Sequence, residues 1–210
     1  MKPRLLRALI CAALMLPLPA AAEDVAGRFD YYVLSLSWSP SWCASGGGNA
    51  PQCDPRRRTG FVVHGLWPQY ERGWPDFCTT AQRDPTRRDS RGMEALMGSA
   101  GLAWYQWQKH GRCSGLSGPD YYRATSEAAA VVAIPPVLAR LPRDVRLGAA
   151  VIEDAFIEAN PDLTRDGITV TCKDGRLQEV RICLTREMEP RSCGPDVRRD
   201  CRTPMLVEAP

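Results

Sequence analysis

Eight cysteines behind an export leader constrain the fold of this chain more than any other feature. Lys2, Arg4 and Arg7 precede an apolar run from Ala8 to about Leu18 and a small-residue end at Ala20, Ala21 and Ala22. That order marks residues 1–22 as a secretory signal peptide. Pro17 and Pro19 interrupt the run, which falls short of the roughly 20 residues a membrane span needs. Cleavage is expected after Ala22, leaving residues 23–210 as a mature protein that is secreted or periplasmic and holds no membrane. The leader carries Cys11 away, and Cys43, Cys53, Cys78, Cys113, Cys172, Cys183, Cys193 and Cys201 remain. An even number in an oxidising compartment predicts four disulfides, each contributing about 2 to 4 kcal/mol. Proximity along the chain favours Cys43 with Cys53 and Cys183 with Cys193 and leaves the other four open. None of the eight forms a two-residue-spaced pair and histidine is scarce, so neither a metal nor another cofactor is expected.

Removing 22 of the 210 residues leaves 188, the size of one domain, with no internal repeat and no Ser- or Pro-rich linker. The leader also takes three of the 27 basic residues and none of the 24 acidic ones, so the remaining charges balance. A balanced chain does not coat nucleic acid by bulk electrostatics, and any nucleic-acid contact must be local.

Tyr31 to Trp38 is rich in aromatic and branched residues and reads as a strand with Tyr32, Leu34, Leu36 and Trp38 toward the core, ended by Ser39 and Pro40. Ala44 to Arg58, full of Gly, Pro and polar residues, reads as a surface loop. Phe61 to Trp67 is a second strand, with Val62, His64 and Leu66 on one face, Phe61, Val63 and Trp67 on the other, and Pro68 as its stop. Thr79 to Arg91 is an exposed loop and Gly92 to Met97 a short helix. Leu102 to His110 is a helix closed by Gly111 in the left-handed conformation. Pro119 to Val132 and Ala149 to Ala159 are further helices, the latter from the helical spacing of Val151, Ile152, Ala155, Phe156 and Ala159. Ile168, Val170 and Cys172 alternate, Asp174-Gly175 marks a tight turn, and Val180, Ile182 and Leu184 alternate again, which predicts an antiparallel hairpin. Beyond Thr185 the chain is irregular, tied down by Cys193 and Cys201. Strands at both ends with helices between give an α+β fold.

Only two histidines occur, and each is followed by glycine in a segment dense in aromatic, basic and amide side chains: Phe61 to Gln69 around His64, and Trp104 to Cys113 around His110. Histidine exchanges protons near neutral pH, so a matched pair suggests one acid and one base. On a helix Gln106, Lys109 and His110 share a face while Ala103, Trp104 and Trp107 pack inward. Lys109 can stabilise a developing phosphate charge, Gln106 can donate a hydrogen bond, and His110 can move a proton. Trp67 offers a face on which a nucleobase stacks for about 1 to 3 kcal/mol. These parts match cleavage of RNA by its own 2'-hydroxyl, which needs a base, an acid and no metal.

Phe61-Val-Val-His64-Gly-Leu-Trp67-Pro-Gln69 and Trp107-Gln-Lys109-His110-Gly-Arg-Cys113 resemble the two characteristic active-site segments of the ribonuclease T2 family. The resemblance extends through the strand Tyr31 to Trp38 and the terminal cysteines. It implies a single disulfide-stabilised domain with a central antiparallel β-sheet and several packed helices, and metal-independent cleavage of single-stranded RNA through a 2',3'-cyclic phosphate. By the same likeness His110 is the general base, His64 the general acid, Lys109 the phosphate-stabilising cation and Trp67 a base-stacking residue. It further implies Cys78 bonded to Cys113 and Cys172 to Cys201. Many relatives carry His-Glu where this chain has Tyr105-Gln106, and an acidic residue where it has Gln69. A phenol and an amide keep hydrogen bonds but no shared proton, so an active, slower enzyme is expected, acting as a monomer on single-stranded RNA, while Gln69 leaves the base preference open. The competing reading is a secreted RNA- or protein-binding member of the same fold with weakened catalysis. A serine hydrolase is disfavoured, since Gly98-Ser99-Ala100-Gly101 has its serine one place too early for the nucleophile turn.

Overall fold

The computed structural model describes residues 24–48 and 50–210; the signal peptide expected at residues 1–22 lies outside them. Six strands, β1 (Tyr31–Trp38), β2 (Phe61–Gln69), β3 (Val145–Leu147), β4 (Ile168–Lys173), β5 (Arg176–Leu184) and β6 (Met205–Val207), form one sheet in the order β2-β1-β5-β6-β3, with β4 pairing to β5 off that path. The helices are α1 (Ser39–Trp42), α2 (Arg87–Gly92), α3 (Glu94–Met97), α4 (Ala100–Lys109), α5 (Gly118–Ala130), α6 (Pro136–Ala139) and α7 (Ala149–Ala159). Apart from one parallel contact between β5 and β6, the strands pair antiparallel. The α+β architecture is therefore the one expected.

The main core lies on one face of the sheet. Tyr32, Leu34, Leu36 and Trp38 of β1 meet Trp107 of α4, Tyr121 of α5 and Ile152 and Phe156 of α7. Each such fully buried aliphatic or aromatic side chain stabilises the fold by about 1.5 to 3 kcal/mol. The other face of β1 is covered too: Tyr31 and Val33 pack with Cys183, Cys193 and Val197 in a second, smaller cluster. The four bridges are Cys43–Cys53, Cys78–Cys113, Cys172–Cys201 and Cys183–Cys193. At the hairpin of β4 and β5, Asp174 (φ 51°) and Gly175 (φ 72°) both take left-handed conformations, as a two-residue turn between twisted strands requires.

Several local expectations are corrected. Pro68 does not stop β2, which runs on to Gln69. β2 is an edge strand: Leu66 turns its carbonyl away from β1 to accept from the Tyr121 hydroxyl (2.8 Å), and alternation puts the missing N–H of Pro68 on that same unpaired side. The expected loop from Thr79 to Arg91 ends in helix α2, because Thr86 and Asp89 form a reciprocal capping box. Gly111 is not left-handed. The chain passes from α4 into a short 3-10 turn, Gly111–Ser114, and the left-handed residue is Gly115 (φ 77°). Gly111 is needed for closeness instead, since a Cβ there would meet Trp107 and Tyr121 within 3 Å. The tail after Thr185 is not irregular throughout, because β6 pairs with β3, a partner sixty residues upstream that local periodicity does not reveal.

Candidate active site

The strict alternation expected in β2 fails at one residue, and that failure builds the site. Ser35 pairs with Gly65 and Leu36 with Val63, so His64 is the extra residue of a β-bulge. Phe61, Val63 and Leu66 consequently point to the main core, while Val62 and Trp67 point to the other face. A regular strand would put His64 and Trp67 on opposite faces. Here their rings meet edge to face, with centroids 5.4 Å apart.

Helix α4 runs beside β2 and supplies the second segment. Ser99 caps it by accepting from the Leu102 N–H (3.1 Å), so the helix begins two residues before the expected Leu102. Ala103 and Trp107 enter the core, and the Trp107 indole N–H donates to Asp84 (2.7 Å). Trp104 is half-buried against that core. The adjoining flank of the same buried side presents Gln106 and His110, both buried, to Trp67. Trp67 Nε1 donates to Gln106 Oε1 (2.7 Å), and the indole stacks on the His110 ring at 5.1 Å and 27°. Gly65 makes this approach possible, because a Cβ there would collide with Trp67 Nε1 and Gln106 Oε1. Both glycines of the His-Gly pairs thus serve close packing.

All seven side chains singled out in the sequence line one cleft of about 440 Å³: His64, Trp67, Gln69, Tyr105, Gln106, Lys109 and His110. Lys109 is half-buried, its carbonyl accepts from the Phe77 N–H (2.8 Å), and it makes no ion pair among the described residues. Tyr105 is exposed and meets Phe77 edge to face at 6.4 Å. Gln69 is buried, and its amide nitrogen donates to the Pro68 carbonyl (2.9 Å). Its amide is therefore partly committed to its own strand. Among the described residues no group of three or more His, Cys, Asp or Glu side chains is arranged to hold a metal ion.

The two histidines stand in opposite electrostatic settings. His110 is pushed down to about 3, first by burial and then by the Lys109 and His64 charges. It is therefore a neutral imidazole at neutral pH, and its Nδ1 has no hydrogen-bond partner among the described residues. His64 Nδ1 lies 2.5 Å from Glu179 Oε1, a buried carboxylate of β5. Burial alone would raise the Glu179 carboxyl, but the hydrogen bond to His64 and the Arg181 charge outweigh it and hold it below the ordinary carboxylate value. Arg181 donates to Glu179 Oε2 through Nε (2.9 Å) and Nη2 (2.7 Å), and its guanidinium carbon lies 5.2 Å from the Trp67 ring centroid. Sequence reasoning missed both residues. The signal was there: Val180, Ile182 and Leu184 face the core, so Glu179 and Arg181 put two charges on the other face of a central strand.

The Ribonuclease T2 family model matches residues 29–193. A ribonuclease of Aeromonas hydrophila is 45% identical over 106 residues, which cover 50% of this chain and 47% of that protein. The chain spans about half the length of the curated relatives it matches. Among solved structures, an RNase-related protein from Calystegia sepium aligns with a TM-score of 0.66 at 24% identity, over 87% of this chain and 98% of that one. RNase NT, solved in complex with 5'-AMP, aligns with a TM-score of 0.62 at 20% identity, over 87% and 98%.

Proposed function

The chain belongs to the ribonuclease T2 family, and from that premise we propose that it is a metal-independent endoribonuclease acting on single-stranded RNA. One observation carries the reading: two separate segments bring both histidines, the lysine and the amide into one cleft, with both imidazoles against the same indole. His110, neutral in its buried setting, is the base that takes the proton of the 2'-hydroxyl. The 2'-oxygen attacks phosphorus, the new P–O2' bond forms as the P–O5' bond breaks, and His64 gives its proton to the departing 5'-oxygen. The product is a 2',3'-cyclic phosphate. Lys109 neutralises charge developing on the phosphate oxygens. Gln106 fixes the edge of Trp67 rather than moving protons, which is a role an amide fills. Gln69 and the exposed Tyr105 line the same cleft, where they contact the substrate. The protein acts as a monomer outside the cytoplasm, where four disulfides persist, once residues 1–22 are removed as the signal peptide.

Mass analysis of the fragments of a short RNA oligonucleotide tests this. Fragments ending in a cyclic phosphate, one water lighter than linear phosphates and formed equally with a chelator present, are expected. Intact oligonucleotide bound but uncut would favour the binding-protein alternative, and inhibition by the chelator would point to a metal nuclease.

A further inference from the structure

Glu179 is the one carboxylate among the described residues that touches either histidine. It sits in the middle of β5, opposite Ser37 of β1 and Thr171 of β4, with its side chain 3% exposed. A lone carboxylate at such a place is strongly unfavourable, and it persists only where its partners answer both oxygens. They do so separately. Oε2 is taken by the Arg181 fork, which fixes the rotation of the carboxylate, and Oε1 is thereby aimed at His64 Nδ1. His64 needs such a hold because it is the bulged residue, without the opposite neighbour that a regular ladder provides.

We infer that Glu179, oriented by Arg181, is the positioning residue for the acid His64, fixing its Nδ1–H so that the transferable proton is carried on Nε2. This rests on the reading of His64 as the acid. A carboxylate on one ring nitrogen sets both the tautomer and the ring direction, leaving a single nitrogen free to face substrate. Arg181 is committed to Glu179 and to the Trp67 ring, so it is a support of the site and not a ligand of the phosphate. Held from the sheet in this way, His64 turns its Nε2 proton toward the leaving oxygen. Helix α4 supplies the base from the opposite wall.

Acid catalysis matters only when the leaving group needs a proton, and this gives a test on the full, disulfide-intact protein. A ribodinucleotide leaves as a sugar alkoxide and needs one; uridine 3'-(4-nitrophenyl phosphate) leaves as a stable phenolate and does not. Glu179→Gln should lower kcat on the dinucleotide at least about tenfold with little change in KM, and leave the nitrophenyl ester within about threefold of wild type. Equal loss on both substrates would mean a merely structural role, and no loss on either would mean no role. Either result overturns the inference. Should Glu179→Gln fail to fold, judged by circular dichroism, Arg181→Met leaves the carboxylate in place but unaimed and must show the same selective loss. His64→Ala, run in parallel, separates the two levels. If it shows selective loss and the Glu179 or Arg181 variant does not, the inference alone fails. If His64→Ala cuts the dinucleotide at near wild-type rate, or loses both substrates equally, the reading of His64 as the acid fails as well.

Discussion

Replacing His110 by asparagine should flatten the pH dependence of stability between pH 7 and pH 5. In the folded protein burial holds this imidazole down to about 3, with the Lys109 and His64 charges adding to the effect. In the unfolded chain it titrates near the ordinary histidine value of about 6.5. Between those values the unfolded state binds a proton that the native state refuses. The contribution is therefore fully present above pH 6.5 and is lost as the pH falls toward 3. From pH 7 to pH 5 the unfolded imidazole becomes almost wholly protonated while the native one stays neutral, and the linkage integral over that interval is about 2 kcal/mol. Urea unfolding of both proteins at the two pH values measures it, because the other titrating groups are common to both and cancel in the double difference. Wild type should lose about 2 kcal/mol more than the variant on going to pH 5. The sequence helps here, since two histidines give only two imidazole resonances and His110 can be followed directly by NMR. Equal losses in the two proteins, or a His110 resonance titrating near pH 6.5, would refute the buried, neutral base.

The same low value carries into kinetics: on the acid side kcat/KM on a dinucleotide should fall by less than about threefold between pH 6 and pH 4, and a tenfold loss per pH unit below pH 6 would contradict it. Gly65→Ala should cost about 1 to 3 kcal/mol in urea unfolding and at least about tenfold in kcat/KM, since its methyl displaces the Trp67 to Gln106 hydrogen bond; wild-type activity would mean that bond is dispensable. The bridges Cys43–Cys53 and Cys183–Cys193 each close a separation of 10 residues, so chain entropy treats them alike. Replacing both cysteines of the buried Cys183–Cys193 pair by serine should nonetheless lower Tm by about 5 to 15 °C, and more than the same change at Cys43–Cys53; equal losses would show that loop closure alone matters.

Much of the fold was legible because its signals are local. The alternation of β1, the helical spacing of α7 and the Asp174-Gly175 turn each need only a few neighbouring residues, and each appears where expected. The residues that line the candidate cleft were legible as a set for another reason: scarce chemistry in two dense segments. What could not be read was set by distant partners. Pro68 is tolerated because β2 has no neighbour beyond it, β6 exists only because β3 pairs with it, and Gly111 answers to Tyr121 in the next helix. Glu179 and Arg181 lie more than a hundred residues from His64, and nothing in their own segment names their partner.

The bulge at His64 has a cost that bears on how this strand can vary. A β2 one residue shorter ahead of His64 would keep every rung of its ladder with β1, with His64 opposite Leu36, and would be the better strand. It would also turn His64 away from Trp67 and empty one wall of the cleft. Selection for stability and selection for the site therefore pull on the same residue count in opposite directions, and it is the length of this short stretch, as much as the identity of its side chains, that must be held constant.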